Sequence, residues 1–143
     1  MTHTAADAAA LAHSDRLATL IREQIQAADG AIPFWRFMEL ALYAPGLGYY
    51  SAGATKFGRA GDFITAPEIG PLFAECVAEA VAPVLARLGP EAQMVELGGG
   101  SGRFAADALG HLAALQALPA RYAILEPSAD LRERQGEYLR QRL

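Results

Sequence analysis

The stretch VELGGGSGRFAAD, Val95–Asp107, decides the fold. Its first residues close a short apolar strand, Gln93-Met94-Val95-Glu96-Leu97. Gly98-Gly99-Gly100-Ser101-Gly102 then forms a glycine turn. A helix is expected from about Arg103 to Leu115, with Phe104, Ala108, Leu109 and Leu112 turned inward. Downstream, Tyr122-Ala123-Ile124-Leu125 reads as a second strand, and Pro127-Ser128 opens a last helix holding Leu131, Tyr138 and Leu139. A strand, a helix and a second strand in this order make a β-α-β-α unit with parallel strands.

Upstream, Thr65-Ala66-Pro67-Glu68 reads as a capping box. It opens a long helix carrying Ile69, Leu72, Phe73, Cys76, Val77, Val81, Leu85 and Leu88. Pro83 is expected to kink or divide that helix, Gly89-Pro90 to end it, and Cys76 on its apolar stripe to lie in the core. Residues 43–66 form a long glycine-rich irregular segment, and a loop of this length is usually functional. Its aromatics Tyr43, Tyr49, Tyr50, Phe57 and Phe63 need somewhere to pack. Pro33 opens a helix through Phe34, Phe37, Met38 and Leu40, in which Trp35 reads as packing. Ser14 or Asp15 caps a preceding helix that Asp29-Gly30 stops, and residues 1–13 read as a loose tail.

Composition sets the outer limits. With 143 residues, 52% of them hydrophobic and 20% charged, the chain can build one core. Thirty-one alanines favour helix. A formal net charge of −4, without a Lys/Arg run, gives no nucleic-acid footprint. No apolar run reaches the length of a membrane span. A single cysteine and the lack of a presequence pattern point to a cytoplasmic protein. His3, His13 and His111 are too scattered for a metal site.

Three ligand cradles compete for the glycine turn. A phosphate-binding P-loop needs Lys-Ser/Thr after its last glycine, and Arg103-Phe104 stands there instead. A dinucleotide fingerprint fits in the single frame Gly100-x-Gly102-x-x-Ala105. The third frame is Glu96-x-Gly98-x-Gly100-x-Gly102, with an acid at the end of the first strand. A carboxylate there suits the ammonium and sulfonium of S-adenosylmethionine and repels a pyrophosphate. Glu126, at the end of the second strand, is placed to accept hydrogen bonds from a ribose and serves either nucleoside ligand. Gly61-Asp62-Phe63, from composition alone, is an ordinary turn with an Asp cap.

Five stretches together resemble the MidA-like S-adenosylmethionine-dependent methyltransferase family. These are Ile32-Pro33-Phe34 with Phe37-Met38, LYAPGLGYY (Leu42–Tyr50), GDFITAPEIGPLFAE (Gly61–Glu75), VELGGGSGRFAAD, and ILEPSADLRERQ (Ile124–Gln135). The family's eukaryotic members are mitochondrial complex I assembly factors that methylate an arginine. The resemblance implies S-adenosyl-L-methionine as cofactor and a protein substrate with an arginine acceptor. It implies that Gly98, Gly100 and Gly102 line the methionine part, Glu96 orders the amino group, and Glu126 holds the ribose. Gly61 and Asp62 would close over the cofactor, and Asp62 and Glu68 would be the catalytic acids that orient a guanidinium and take its proton. The family's turn usually has proline or alanine where this chain has Gly99.

The expected architecture is α/β. A helical N-terminal region precedes the first β-α-β-α unit of a Rossmann-like class I methyltransferase sheet. Motif by motif, the chain divides into a tail and helix (1–30), a helical and loop region with the GDF motif (31–91), and a partial cofactor-binding unit (92–143). Family members continue further, so the chain reads as truncated, the alternative being that another copy covers the open sheet edge. The competing functions are a nicotinamide-dependent oxidoreductase fragment and a non-catalytic interaction module. The expected setting is a bacterial cytoplasm, without nucleic-acid or membrane partners.

Overall fold

The structure is a computed structural model that describes residues 5–52 and 64–143. The chain forms two compact units, Met1–Gly53 and Ala54–Leu143. Neither boundary drawn from motifs, at 30/31 or at 91/92, coincides with this division.

The first unit holds α1 (Ala5–Ala27) and α2 (Phe34–Tyr43). α1 starts well before Ser14, so neither Ser14 nor Asp15 is a cap, and the described part of the expected tail is helical. The alanine-rich sequence has enough intrinsic propensity to extend the helix through it. α1 stops where expected. Asp29 and Gly30 take left-handed backbone (φ 55° and 93°), and the Gly30 N–H donates back to the Ile25 carbonyl at 2.9 Å. Pro33 is the N-cap of α2, with its fixed φ of −60°. After α2 the chain folds back on itself, with Tyr49 N–H donating to Ala41 O at 2.9 Å and Tyr50 N–H to Leu42 O at 2.8 Å. Tyr43, Tyr49 and Tyr50 cluster, Tyr50 stacking on Tyr43 and meeting Tyr49 edge-on. Trp35 is exposed, contrary to its reading as packing, because α2 buries the opposite side at Leu40.

The second unit holds α3 (Ala66–Ile69), α4 (Leu72–Leu88), β1 (Gln93–Leu97), α5 (Arg103–Ala114), β2 (Arg121–Leu125) and α6 (Ala129–Arg142). The helix expected to run on from Thr65 is broken at Gly70, whose backbone is fully extended, and Pro71 starts α4 afresh. Pro83 lies inside α4 without dividing it. β1 and β2 pair in parallel, Gln93 opposite Arg121 through Leu97 opposite Leu125.

The core lies where α4 packs on α5. Ala78, Leu85, Ala92 and Leu112 are buried there, with Val81, Ala82, Met94 and Ala117 against them. Ala74, Ala105 and Ala108 are buried as well. Small side chains let two helices approach closely, so alanine here serves packing as well as propensity. The apolar stripe read for α4 is only partly covered. Leu72, Phe73 and Leu88 are exposed, and Cys76 is exposed rather than in the core. On the sheet, Met94 faces the core, while Val95, Leu97 and Leu125 are exposed.

Candidate functional site

The site is built at the carboxyl ends of the two strands. Gly98 leaves β1 with φ 77° but still donates its N–H to Leu125 O at 2.9 Å, so the turn begins in register with β2. Gly100 and Gly102 are also left-handed, at φ 52° and 82°. Gly102 is the N-cap of α5 and closes the turn by donating to Gly99 O at 2.8 Å. Gly102 has no side chain to cap α5, and among its first N–H groups that of Arg103 makes only a long bond, donating to the Ser101 hydroxyl at 3.4 Å.

Gly99 has a steric reason of its own. A Cβ there would lie 2.6 Å from Ile124 Cγ2 and 3.1 Å from Gln135 Nε2. The glycine that departs from the family's usual residue is therefore matched to its neighbours in β2 and α6.

Three carboxylates come from the elements that meet at the turn. Glu68, from α3, accepts from the Ser101 hydroxyl and lies 3.6 Å from Arg103 Nε. Its side chain is only 10% exposed. Glu68 thus ties the turn and the start of α5 to α3, and puts negative charge where a helix N-terminus favours it. The Thr65 side chain makes no cap hydrogen bond, so the expected capping box does not form. Glu68 is drawn instead to the hydroxyl and guanidinium across the turn.

Glu96 accepts from the Tyr122 hydroxyl at 2.9 Å, a bond across the two strands. Burial raises the Glu96 pKa above its ordinary 4.5, the Tyr122 hydrogen bond opposes this, and the charge of Glu126 adds to it. Burial and the same carboxylate push the Tyr122 phenol well above its usual range. Tyr122 is therefore a donor at every ordinary pH. Glu126 is 6% exposed, and one of its oxygens accepts from Ser128 N–H at 3.0 Å.

The structure thus puts Glu68 on the turn that holds Gly98, Gly100 and Gly102, and sets Glu96 and Glu126 at the adjoining strand ends, close enough for their charges to act on one another. Gly61 and Asp62 lie outside the described residues, as does Phe63. Sequence reasoning missed Ser101, Tyr122 and Gln135. Gln135 is 4% exposed and donates from Nε2 to Gly100 O at 2.9 Å. Its signal was available: it stands four residues after Leu131, on the inward stripe of α6. Among the described residues no group of His, Cys, Asp and Glu could hold a metal ion. No described helix is long and apolar enough to cross a membrane.

Fold and site together define a parallel α/β unit with an acidic glycine-turn cradle at its strand ends, the Rossmann-like arrangement. Residues 76–143 match the family of S-adenosyl-L-methionine-dependent methyltransferases. The chain is 40% identical over 95 residues to the mitochondrial protein arginine methyltransferase NDUFAF7 homologue of Drosophila melanogaster, covering 65% of this chain and 21% of that protein. The Caenorhabditis elegans homologue is 35% identical over 116 residues, 78% of this chain and 27% of that one. A crystal structure of a Burkholderia thailandensis protein bound to S-adenosyl-homocysteine matches with TM-score 0.81 and 46% identity. It covers 99% of this chain and 37% of the other. A second crystal structure from that organism matches with TM-score 0.76 and 43% identity over 99% of this chain and 34% of the other. The MidA-like methyltransferase resemblance is borne out by these findings. The chain spans about a quarter of the length of the curated relatives it matches, and about a third of the solved structures.

Proposed function

We propose that this chain forms the cofactor-binding part of an S-adenosylmethionine-dependent methyltransferase that acts on a protein arginine. One observation carries the reading: Glu68 bonds Ser101 within the glycine turn, while Glu96, at the end of β1, lies within the field of the Glu126 carboxylate at the end of β2. A pyrophosphate would meet repulsion there, with Glu68 already beside the start of α5. A ligand with an ammonium and a sulfonium meets attraction. This separates the reading from a nicotinamide-dependent one. The names of the curated relatives support the arginine acceptor.

The residues fit such a ligand. The turn has no side chains at Gly98, Gly99, Gly100 and Gly102 to fend it off, and Glu96 supplies the acid beside it. We assign the ribose to Glu126. When bound, S-adenosylmethionine supplies an electrophilic methyl group, whose transfer needs alignment more than acid–base force. The chain's part is therefore orientation. The Glu68 carboxylate is engaged with Ser101 and Arg103, so we assign it to holding the turn. Asp62 stays the candidate for orienting a guanidinium and receiving its proton.

The test is calorimetric titration with S-adenosylmethionine, with NAD, and with a Glu126→Ala variant. Saturable binding of S-adenosylmethionine that the variant loses supports the reading. Binding of NAD in its place would sink it.

A further inference from the structure

Among the described residues, one buried carboxamide reaches the glycine turn and has no part in the cofactor reading above. Gln135 sits mid-way along α6, far in sequence from the turn, and is 4% exposed. Its Nε2 donates to Gly100 O at 2.9 Å. It also sets the space on either side. A Cβ at Gly99 would come within 3.1 Å of its Nε2, and one at Gly102 within 3.4 Å of its Cα and Cγ. Three positions of the turn are thus shaped against one side chain.

The bond to Gly100 has a directional consequence. The Gly100–Ser101 peptide is trans, like all the described bonds. In a trans peptide the N–H points opposite to the C=O. Holding the Gly100 carbonyl toward α6 therefore turns the Ser101 N–H away from α6. Glycine at 100 leaves this peptide free to take other orientations, because without a Cβ the torsion that turns its carbonyl is little restricted. Local sequence does not choose among them, and a buried donor does. The buried partner is Gln135, and its carboxamide left without an acceptor is costly, so the choice is enforced.

We propose that Gln135 is a positioning residue of the cofactor cradle: its carboxamide locks the Gly100–Ser101 peptide in the orientation that presents the Ser101 N–H to the ligand. The inference rests on the cofactor reading above and adds the part that decides the cradle's shape. A buried amide is better suited to this than a charged group, which would cost desolvation in the same place.

The test uses the whole chain with two variants, Gln135→Met and Gln135→Glu, and two readouts. The first is the amide NMR signals and hydrogen exchange of Gly99–Gly102 without ligand. The second is calorimetric affinity for S-adenosylhomocysteine at pH 8 and pH 5.5. Gln135→Met keeps the length and removes the donor. It is expected to move the Gly100, Ser101 and Gly102 amide signals and to weaken binding at least about tenfold. Gln135→Glu is expected to weaken binding similarly at pH 8. At pH 5.5 a buried carboxyl there regains its proton, donates to Gly100 O again, and should restore affinity to within about threefold of the parent. Asp130→Ala, which removes the Arg134 pair on α6 without touching the turn, should change affinity less than about twofold.

Parent-like affinity and unmoved turn amides in folded Gln135→Met would overturn the proposal. So would an Asp130→Ala loss equal to that of Gln135→Met, since Gln135 would then act only through helix stability. If Gln135→Met fails to fold, the pH recovery of Gln135→Glu decides. If the parent binds no S-adenosylhomocysteine, the cofactor reading fails and the ligand half of the proposal with it. The amide signals then judge separately whether Gln135 holds the turn.

Discussion

α5 and α6 each follow a parallel strand, yet they start in opposite ways. α6 is capped within its own sequence: the Ser128 hydroxyl accepts from Leu131 N–H at 3.2 Å, and Asp130 adds charge in the first turn. Its approach is braced by Arg132, which donates to the carbonyls of Glu126 and Pro127. α5 starts from left-handed Gly102, which has no side chain to cap it, with no acid in its first turn and only a longer bond, 3.4 Å, from Arg103 N–H to the Ser101 hydroxyl. The acid near it comes from α3, and the donor that shapes its turn comes from α6. A helix start that satisfies itself is structural. One left mostly open, with distant residues shaping it, suits a ligand site.

The sharpest way to break this contrast is Gly99→Ala. The new Cβ would meet Ile124 Cγ2 at 2.6 Å. The expected loss is about 1–3 kcal/mol, read by urea unfolding. Adding Ile124→Leu, which removes that methyl branch, should recover part of it. No loss in the single variant would mean that the turn is not fitted to β2.

Gly102→Ala comes next, because it forces alanine to φ 82° at the start of α5. Left-handed backbone costs a non-glycine residue about 1–2 kcal/mol. Thermal unfolding of this variant beside Gly110→Ala, where a Cβ meets open space within a helix, isolates the backbone term. If both alanines change stability alike, the left-handed start of α5 is not required.

Ser128→Ala tests the self-sufficient start. It should cost about 1 kcal/mol, the usual worth of an N-cap. Hydrogen exchange should show the loosening at Leu131 and the first turn of α6. A silent Ser128→Ala would erase the distinction between the two helix starts.

The smallest effect is expected at Glu96. Its pKa is raised in the folded chain, so between 4.5 and that raised value the folded state holds more of the proton than the unfolded state. Stability therefore falls as pH rises through this window, and the loss stays constant above it. Glu96→Gln lacks that loss. It should be more stable than the parent at pH 7–8, by about 0.5 kcal/mol given the half-exposed site, and the two should converge toward pH 4. Tyr122→Phe should widen the window upward, because it removes the hydrogen bond that favours the charged carboxylate. Parallel pH profiles for parent and Glu96→Gln would show that the acid is not burdened by folding.

Much of the fold was legible. β1 begins and ends where its apolar run does, β2 and α5 differ from expectation by a single residue at one end, and the strands pair in parallel. Periodicity and glycine punctuation are local signals, and they mark elements well. Burial was less legible. Cys76, Leu72 and Phe73 read as core from their spacing, yet are exposed, because a stripe shows which face is apolar and not what covers it. The break at Gly70 was also missed, since Thr65 and Glu68 matched a capping box whose acid turned to Ser101 and Arg103.

The sequence by itself determined the order of elements, the glycine turn, and the acids Glu96 and Glu126 at the two strand ends. These follow from short-range pattern, which needs no knowledge of what lies across the fold. The tertiary structure alone decided how the turn is held: Tyr122 on Glu96, Glu68 on Ser101, Gln135 on Gly100. These partners are 26, 33 and 35 residues apart. Hydrogen bonds over such separations are selected by packing geometry and by the cost of leaving a buried polar group unpaired.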